Sequence, residues 1–78
     1  MITILFFASL REQMKQRQLE LDLDTPITVR QLADRLEHSH AGLSLSGSLC
    51  AINEHYAEPE QMIQAGDTVA FFPPVSGG

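Results

Sequence analysis

The sequence predicts an α+β domain in which a mixed β-sheet packs on one main helix. Three features carry that expectation. β-branched and aromatic runs lie near both ends, Ile2-Thr3-Ile4-Leu5-Phe6-Phe7 and Thr68-Val69-Ala70-Phe71-Phe72. Leu19, Leu21 and Leu23 alternate with Glu20, Asp22 and Asp24, the period of a half-buried strand. A single segment, Val29, Leu32, Ala33 and Leu36, carries its apolar residues at i, i+3, i+4 and i+7, one face of a helix.

Taken in order, residues 2–7 read as a first strand. Ala8 to Gln18 is a polar connection with one helical turn around Leu10 to Met14. The alternating run 19–24 is the second strand, broken by Thr25-Pro26. The main helix starts at Thr28, whose hydroxyl and Gln31 three residues on form a capping box. Gly42 is its expected terminator, with His38 and His40 near the carbonyl end where imidazoles suit the dipole. Leu49 to Ile52 is a short third strand turning at Asn53-Glu54. His55 to Glu58 is a brief edge strand blocked by Pro59. Ala65-Gly66-Asp67 turns into the last strand, 68–72. A hairpin, then a helix, then short strands is the layout of the β-grasp, or ubiquitin-like, architecture.

Seventy-eight residues make one domain, with about 60–65% of the unfolded chain's surface available to bury and little room for an internal active site. A hydrophobic fraction of 44% and a charged fraction of 19% suit a globular chain. Net charge is −5, with five Lys or Arg residues and no basic run, which disfavours nucleic acid and fits a basic protein partner. Cys50, the one cysteine, sits in the apolar run Leu49-Cys50-Ala51-Ile52 and reads as a packing residue rather than a nucleophile. A lone thiol fits a reducing compartment, and no apolar stretch approaches a membrane span. The expected location is the cytoplasm.

No internal constellation carries chemistry. His38, His40 and His55 lack the carboxylate or thiol spacing of a metal site, so solvated or capping roles are the simpler reading. Glu20, Asp22 and Asp24 read as a solvated strand face. No Gly-rich strand-to-helix loop is present to cradle phosphate. The chemistry is left to the ending, Phe71-Phe72-Pro73-Pro74-Val75-Ser76-Gly77-Gly78. Pro73-Pro74 stops the strand and projects residues 73–78 as an extended arm of roughly 20 Å, at about 3.3 Å per residue. Gly77 and Gly78 lack Cβ atoms and fit a channel too narrow for side chains, with the α-carboxylate of Gly78 at its far end. The organisation expected is therefore a domain over 1–72 and a tail over 73–78. The plain alternative is a frayed terminus.

Strand alternation adds a surface. Ile2, Ile4 and Phe6 share one face and Thr3, Leu5 and Phe7 the other; Val69 and Phe71 oppose Thr68, Ala70 and Phe72. The threonine-bearing faces are the less apolar and should turn away from the helix. Phe7 and Phe72 then lie on the outer sheet face, either as a docking patch beside the tail or as an extension of the core.

The ending FFPPVSGG, the preceding Ala65-Gly66-Asp67-Thr68-Val69-Ala70 and the opening Leu5-Phe6-Phe7-Ala8-Ser9-Leu10-Arg11-Glu12 closely resemble the MoaD family, the small sulfur-carrying subunits of molybdopterin synthase. The resemblance spans essentially the whole chain and is most specific at its ends; Ser76 stands where threonine is often found. It implies a carrier with no cofactor of its own, not an enzyme by itself. A ubiquitin-activating-type adenylyltransferase would use ATP to adenylate Gly78, and a persulfide donor would convert it to a thiocarboxylate. The tail (Pro73, Pro74, Val75, Ser76, Gly77, Gly78) would then enter the molybdopterin synthase large subunit and give its sulfur to cyclic pyranopterin monophosphate. The same resemblance implies a heterotetramer of two small and two large subunits, with catalytic side chains on the large one. It also makes Phe7, Tyr56 and Phe72 an apolar docking surface. Three other readings share parts of this pattern: a thiamine-pathway sulfur carrier, a ubiquitin-like modifier joined to lysines through Gly78, and a non-catalytic binding module.

Overall fold

The computed structural model describes residues 1–45 and 47–74. Ile2–Phe6 forms β1, with Ile2, Ile4 and Phe6 buried and the intervening side chains half-buried. Gln18–Leu21 forms β2, antiparallel to β1 from Ile2↔Leu21 to Leu5↔Gln18. Between them Ser9–Met14 makes helix α1, which buries Leu10 and Met14 on one face. Ile27–Thr28 is β3 and Val29–Ser39 is helix α2. Leu49–Ile52 is β4, His55–Tyr56 is β5, Met62–Ile63 is β6 and Thr68–Phe72 is β7. The main sheet runs β2-β1-β7-β4-β5, and β3 pairs with β6 in a separate two-stranded ribbon.

The sheet is mixed because β7 lies parallel to β1, from Thr3↔Thr68 to Phe6↔Phe71, while β4 is antiparallel to β7. A parallel pair needs a long crossover, and the segment containing α2 supplies it. The inner faces of β1 and β7 carry Ile2, Ile4, Phe6, Val69 and Phe71, none more than 2% exposed, and α2 contributes Val29, Leu32 and Leu36 to the same core. Phe6 and Phe71 stack across the parallel pair, with ring centroids 6.5 Å apart. One main helix, α2, on a mixed sheet is the arrangement expected of a β-grasp domain.

Several boundaries differ from the sequence expectation for identifiable reasons. The alternating run 19–24 pairs only to Leu21, because the ladder ends at Ile2↔Leu21 where β1 begins; Leu23 still packs against the core without a strand partner. Helix α2 has its capping box: Thr28 Oγ1 accepts from Gln31 N–H at 3.1 Å and Gln31 Oε1 accepts from Thr28 N–H at 2.8 Å. It stops at His40 rather than at Gly42. His40 N–H donates to the Leu36 carbonyl and its Nδ1 lies 3.2 Å from the same oxygen, while Gly42, at φ +90°, shapes the turn that follows. The edge strand closes at Tyr56, two residues short of Glu58, although Ala57 N–H still donates to the Cys50 carbonyl. The ribbon β3–β6 was not anticipated; two residues a side leave no alternation to read.

Ala8, between β1 and α1, has φ 53° and ψ −130° with no side-chain cap. This conformation is open to glycine and costs an L-residue about 1–3 kcal/mol. Ala8→Gly should therefore raise the unfolding free energy by about 1 kcal/mol, after roughly 0.5–1 kcal/mol is lost to the freer unfolded chain. The expected observation is a higher urea midpoint with an unchanged m-value.

Candidate functional site: an aromatic face at the exit of the chain

The outer sheet face follows from the register. Ladder partners project to the same side, so Phe72 and its partner Leu49, Ala70 and its partner Ala51, and Tyr56 opposite Ala51 all point away from α2. On β1, Leu5 and the following Phe7 join them. Phe7 is 40% exposed, Leu49 37% and Tyr56 76%, while Phe72 is half-buried among them. The Phe7 ring meets Phe72 edge-on at 6.4 Å between centroids, and Tyr56 tilts against Phe72 at 5.9 Å. Phe72 is thus the centre of an exposed aromatic cluster. The small side chains Ala51 and Ala70, with Leu5, floor a shallow depression of about 330 Å³ beside it, bordered by Asn53 and Glu54.

Parallel pairing puts this cluster at the exit of the chain. β1 and β7 run the same way, so Phe7 and Phe72 reach the same end of the sheet, where Phe7 N–H donates to the Phe71 carbonyl at 3.2 Å. From there the backbone continues into half-buried Pro73 and exposed Pro74, neither of which is in a strand. The structure therefore brings Phe7, Tyr56 and Phe72 together beside the first two residues of the expected tail. Val75, Ser76, Gly77 and Gly78 lie outside the described residues.

Leu49 was missed as a surface residue. The four-residue run Leu49-Cys50-Ala51-Ile52 has no polar member to label its faces, and only pairing with β7 separates Leu49 and Ala51 from buried Cys50 and Ile52. The faces of β1 and β7 could be assigned because each carries a threonine.

A second concavity, about 810 Å³, opens between α2 and the β4–β5 edge, with Val29, Ala33, Tyr56, Ala57 and Pro59 in its lining. Arg30 at its mouth pairs with Glu60 at 2.7 Å, both well exposed. Cys50 contributes to its wall, and burial pushes the thiol up to about 11. A thiolate is the nucleophile, so native Cys50 should resist iodoacetamide at pH 8 and react once urea unfolds the chain. The shift also has a stability consequence. An unfolded thiol ionises near 9.0, before the folded one, so the Cys50 contribution should be complete below pH 9 and lost as pH rises towards about 11.

The remaining candidates are dispersed. Among the described residues no group of three or more His, Cys, Asp or Glu is placed to share a metal ion. His40 caps α2, whereas His55 lies on the edge strand. Glu20, Asp22 and Asp24 are exposed. No helix among the described residues is long and apolar enough to cross a membrane.

Known proteins are similar in sequence and in shape. A family model described as the ThiS family matches residues 4–78. The molybdopterin synthase sulfur carrier subunit of Haemophilus influenzae is 40% identical over 81 residues, covering 100% of both chains. Its counterpart of the same name from Escherichia coli is 37% identical over 82 residues, again covering 100% of both. Among solved structures, the crystal structure of SAMP1 from Haloferax volcanii superposes with a TM-score of 0.78 at 30% identity, covering 99% of this chain and 98% of that one.

Proposed function

The chain belongs to the ThiS family, and on that premise we propose that it is the sulfur-carrier subunit of a molybdopterin synthase, with the Gly78 carboxylate as the group that carries sulfur. The observation that carries this reading is the aromatic cluster of Phe7, Tyr56, Phe72 and Leu49 at the point where the chain leaves the sheet through Pro73. A patch of exposed apolar side chains is a docking surface. One placed at the root of a projecting terminus fixes where that terminus enters a partner. The domain over 1–72 then acts as a handle and the tail over 73–78 as the working part.

The chemistry follows from the state of that terminus. An α-carboxyl ionises near pH 3.3–3.7, so at neutral pH Gly78 is an anion and a poor electrophile. A ubiquitin-activating-type partner transfers AMP from ATP to one carboxylate oxygen and releases pyrophosphate, which makes the carbonyl attackable. The terminal sulfur of a donor persulfide attacks that carbonyl and expels AMP. A second thiol then cleaves the sulfur–sulfur bond, leaving a thiocarboxylate on Gly78 and a disulfide on the donor side. In the large subunit the thiocarboxylate sulfur attacks a carbon of the pterin precursor, cyclic pyranopterin monophosphate. The carbon–oxygen bond there breaks, with the oxygen leaving as a phosphate oxygen or as water, and hydrolysis of the acyl–sulfur bond restores the carboxylate. Two such transfers build a dithiolene. In this reading the catalytic side chains belong to the partners and the assembly holds two copies of each subunit. ATP serves the activating enzyme, and the whole cycle runs in the cytoplasm.

The name carried by the relatives at 40% and 37% identity favours the pterin product over a thiazole. The likeness to SAMP1, a small archaeal modifier protein, favours a second reading in which Gly78 forms isopeptide bonds with lysines. Intact-mass spectrometry after incubation with the activating enzyme, ATP and a persulfide donor separates the two. A mass gain equal to one oxygen replaced by sulfur, mapped to Gly78, supports the carrier. Denaturant-resistant conjugates in a lysate, without that gain, support the modifier.

A further inference from the structure

The charge of the molecule is unevenly placed along its strands, and a group of cations lies at the docking end. Of five Lys and Arg residues, Arg11, Lys15 and Arg17 fall within seven positions. Both ends of that segment are tied to the exit end of β1: Leu10 N–H donates to the Phe7 carbonyl at 3.1 Å, and Phe6 N–H donates to the Arg17 carbonyl at 2.9 Å. Helix α1 turns Leu10 and Met14 into the core, and Arg11 and its C-cap residue Lys15 are exposed on the segment tied to the exit end of β1. Arg17 is exposed as well, and the one carboxylate within the segment is Glu12. Among the described residues the ion pair within 4.0 Å is Arg30–Glu60, at the mouth of the concavity that Tyr56 lines.

The acidic surplus lies at the other end. Asp22 and Asp24 follow β2, Asp67 precedes β7 and Glu54 follows β4, all at the end of the sheet opposite Phe7 and Phe72. A five-residue strand separates the two ends by roughly 16 Å. That is about twice the Debye length of ~8 Å at physiological salt, so a partner at one end responds weakly to the other. On the docking end itself, Glu37 accepts a hydrogen bond from Leu45 N–H, and Glu58 follows β5 on the far edge. Among the described residues the α1 segment therefore supplies a group of cations at this end, whereas Arg30, beside the concavity that Leu49 and Tyr56 line, is paired with Glu60.

Resting on the carrier reading above, we propose that Arg11, Lys15 and Arg17 form a one-sided cationic rim to the aromatic docking face. The rim recognises carboxylates that border the tail channel of the large subunit. The aromatic cluster supplies the contact and the rim sets its rotation, so that the tail meets the channel in one orientation. Net charge alone points to a basic partner surface; the placement of the charges reverses that sign at the interface.

Stopped-flow association with the large subunit over a range of ionic strength tests this. The wild-type association rate should fall as salt rises. Arg11→Glu/Lys15→Glu/Arg17→Glu should associate about tenfold or more slowly near physiological salt, with a dissociation rate close to wild type. A milder variant, Arg11→Gln/Arg17→Gln, should fall between. Reversal at the far end, Asp22→Lys/Asp24→Lys, should change the rate by about twofold or less. All these side chains are exposed, and melting curves confirm that each variant is folded. A rim variant that associates as fast as wild type, or equal effects from the two ends, overturns the rim while leaving the carrier reading intact. Wild-type protein that does not bind the large subunit overturns both.

Discussion

Deleting Gly78, or adding a residue after it, is expected to lower thiocarboxylate formation and sulfur transfer by at least about 10²-fold. The argument is geometric. Each residue of extended chain spans about 3.3–3.6 Å, whereas a misplacement of about 1 Å at a reacting centre already costs on the order of 10²-fold. Ending at Gly77 withdraws the carboxylate by one residue from the position at which AMP is transferred. Adding Ala beyond Gly78 buries the reactive carbonyl in an internal amide and brings a Cβ into a passage suited to glycine. Neither change touches β7, which ends at Phe72, or the cluster around it. The melting temperature should match wild type, and affinity for the large subunit should stay within about threefold, since contact residues remote from the tail are unaltered. The decisive comparison is intact mass after activation, alongside a binding isotherm for the same variants. A variant extended by one residue that still gains sulfur would exclude the Gly78 carbonyl as the required carrying group.

Not every part of this site could be read from the residues alone. The outward orientation of Phe7 and Phe72 was legible because Thr3 and Thr68 label the solvent side of their strands, and β1 and β7 are buried accordingly. The capping box of α2 was legible because it is local, with donor and acceptor three residues apart. Leu49 was hidden within a wholly apolar run, and its exposure depends on pairing with Phe72, 23 positions away. Tyr56 entered only through resemblance, since a two-residue strand has no periodicity to place its ring. Charge behaves similarly. Composition sums it to −5, but antiparallel β1–β2 and parallel β1–β7 pairing sorts it to opposite ends of the sheet. Local chemistry and period-two patterning survive in a linear reading; anything set by contacts distant in sequence does not.

Phe72→Asp is expected to weaken binding to the large subunit by about 100-fold, or roughly 2.7 kcal/mol, while lowering fold stability by only about 1–2 kcal/mol. The two adjacent phenylalanines of β7 give the contrast its force. Phe71 faces inward, is 2% exposed and stacks on Phe6, so truncating it to Ala should cost about 3–5 kcal/mol of stability. Phe72 faces outward, and its contacts are the rings of Phe7 and Tyr56, each pair worth about 0.5–1.5 kcal/mol beyond area burial. In the free protein an aspartate at this half-buried position still reaches water, so its charge costs the fold less than at a core site. In the complex the same carboxylate would sit at the centre of an apolar contact, where a central aromatic commonly contributes about 2 kcal/mol or more and an unpaired charge adds a desolvation penalty. Phe72→Leu should recover most of the affinity, because it restores apolar area without restoring the ring. Denaturation midpoints and dissociation constants for Phe71→Ala, Phe72→Asp and Phe72→Leu distinguish the two roles. If Phe72→Asp unfolds as readily as Phe71→Ala, Phe72 belongs to the core and the aromatic face is not the docking surface. If it melts near wild type and fails to bind, the outward ring at the root of the tail is what holds the carrier to its partner.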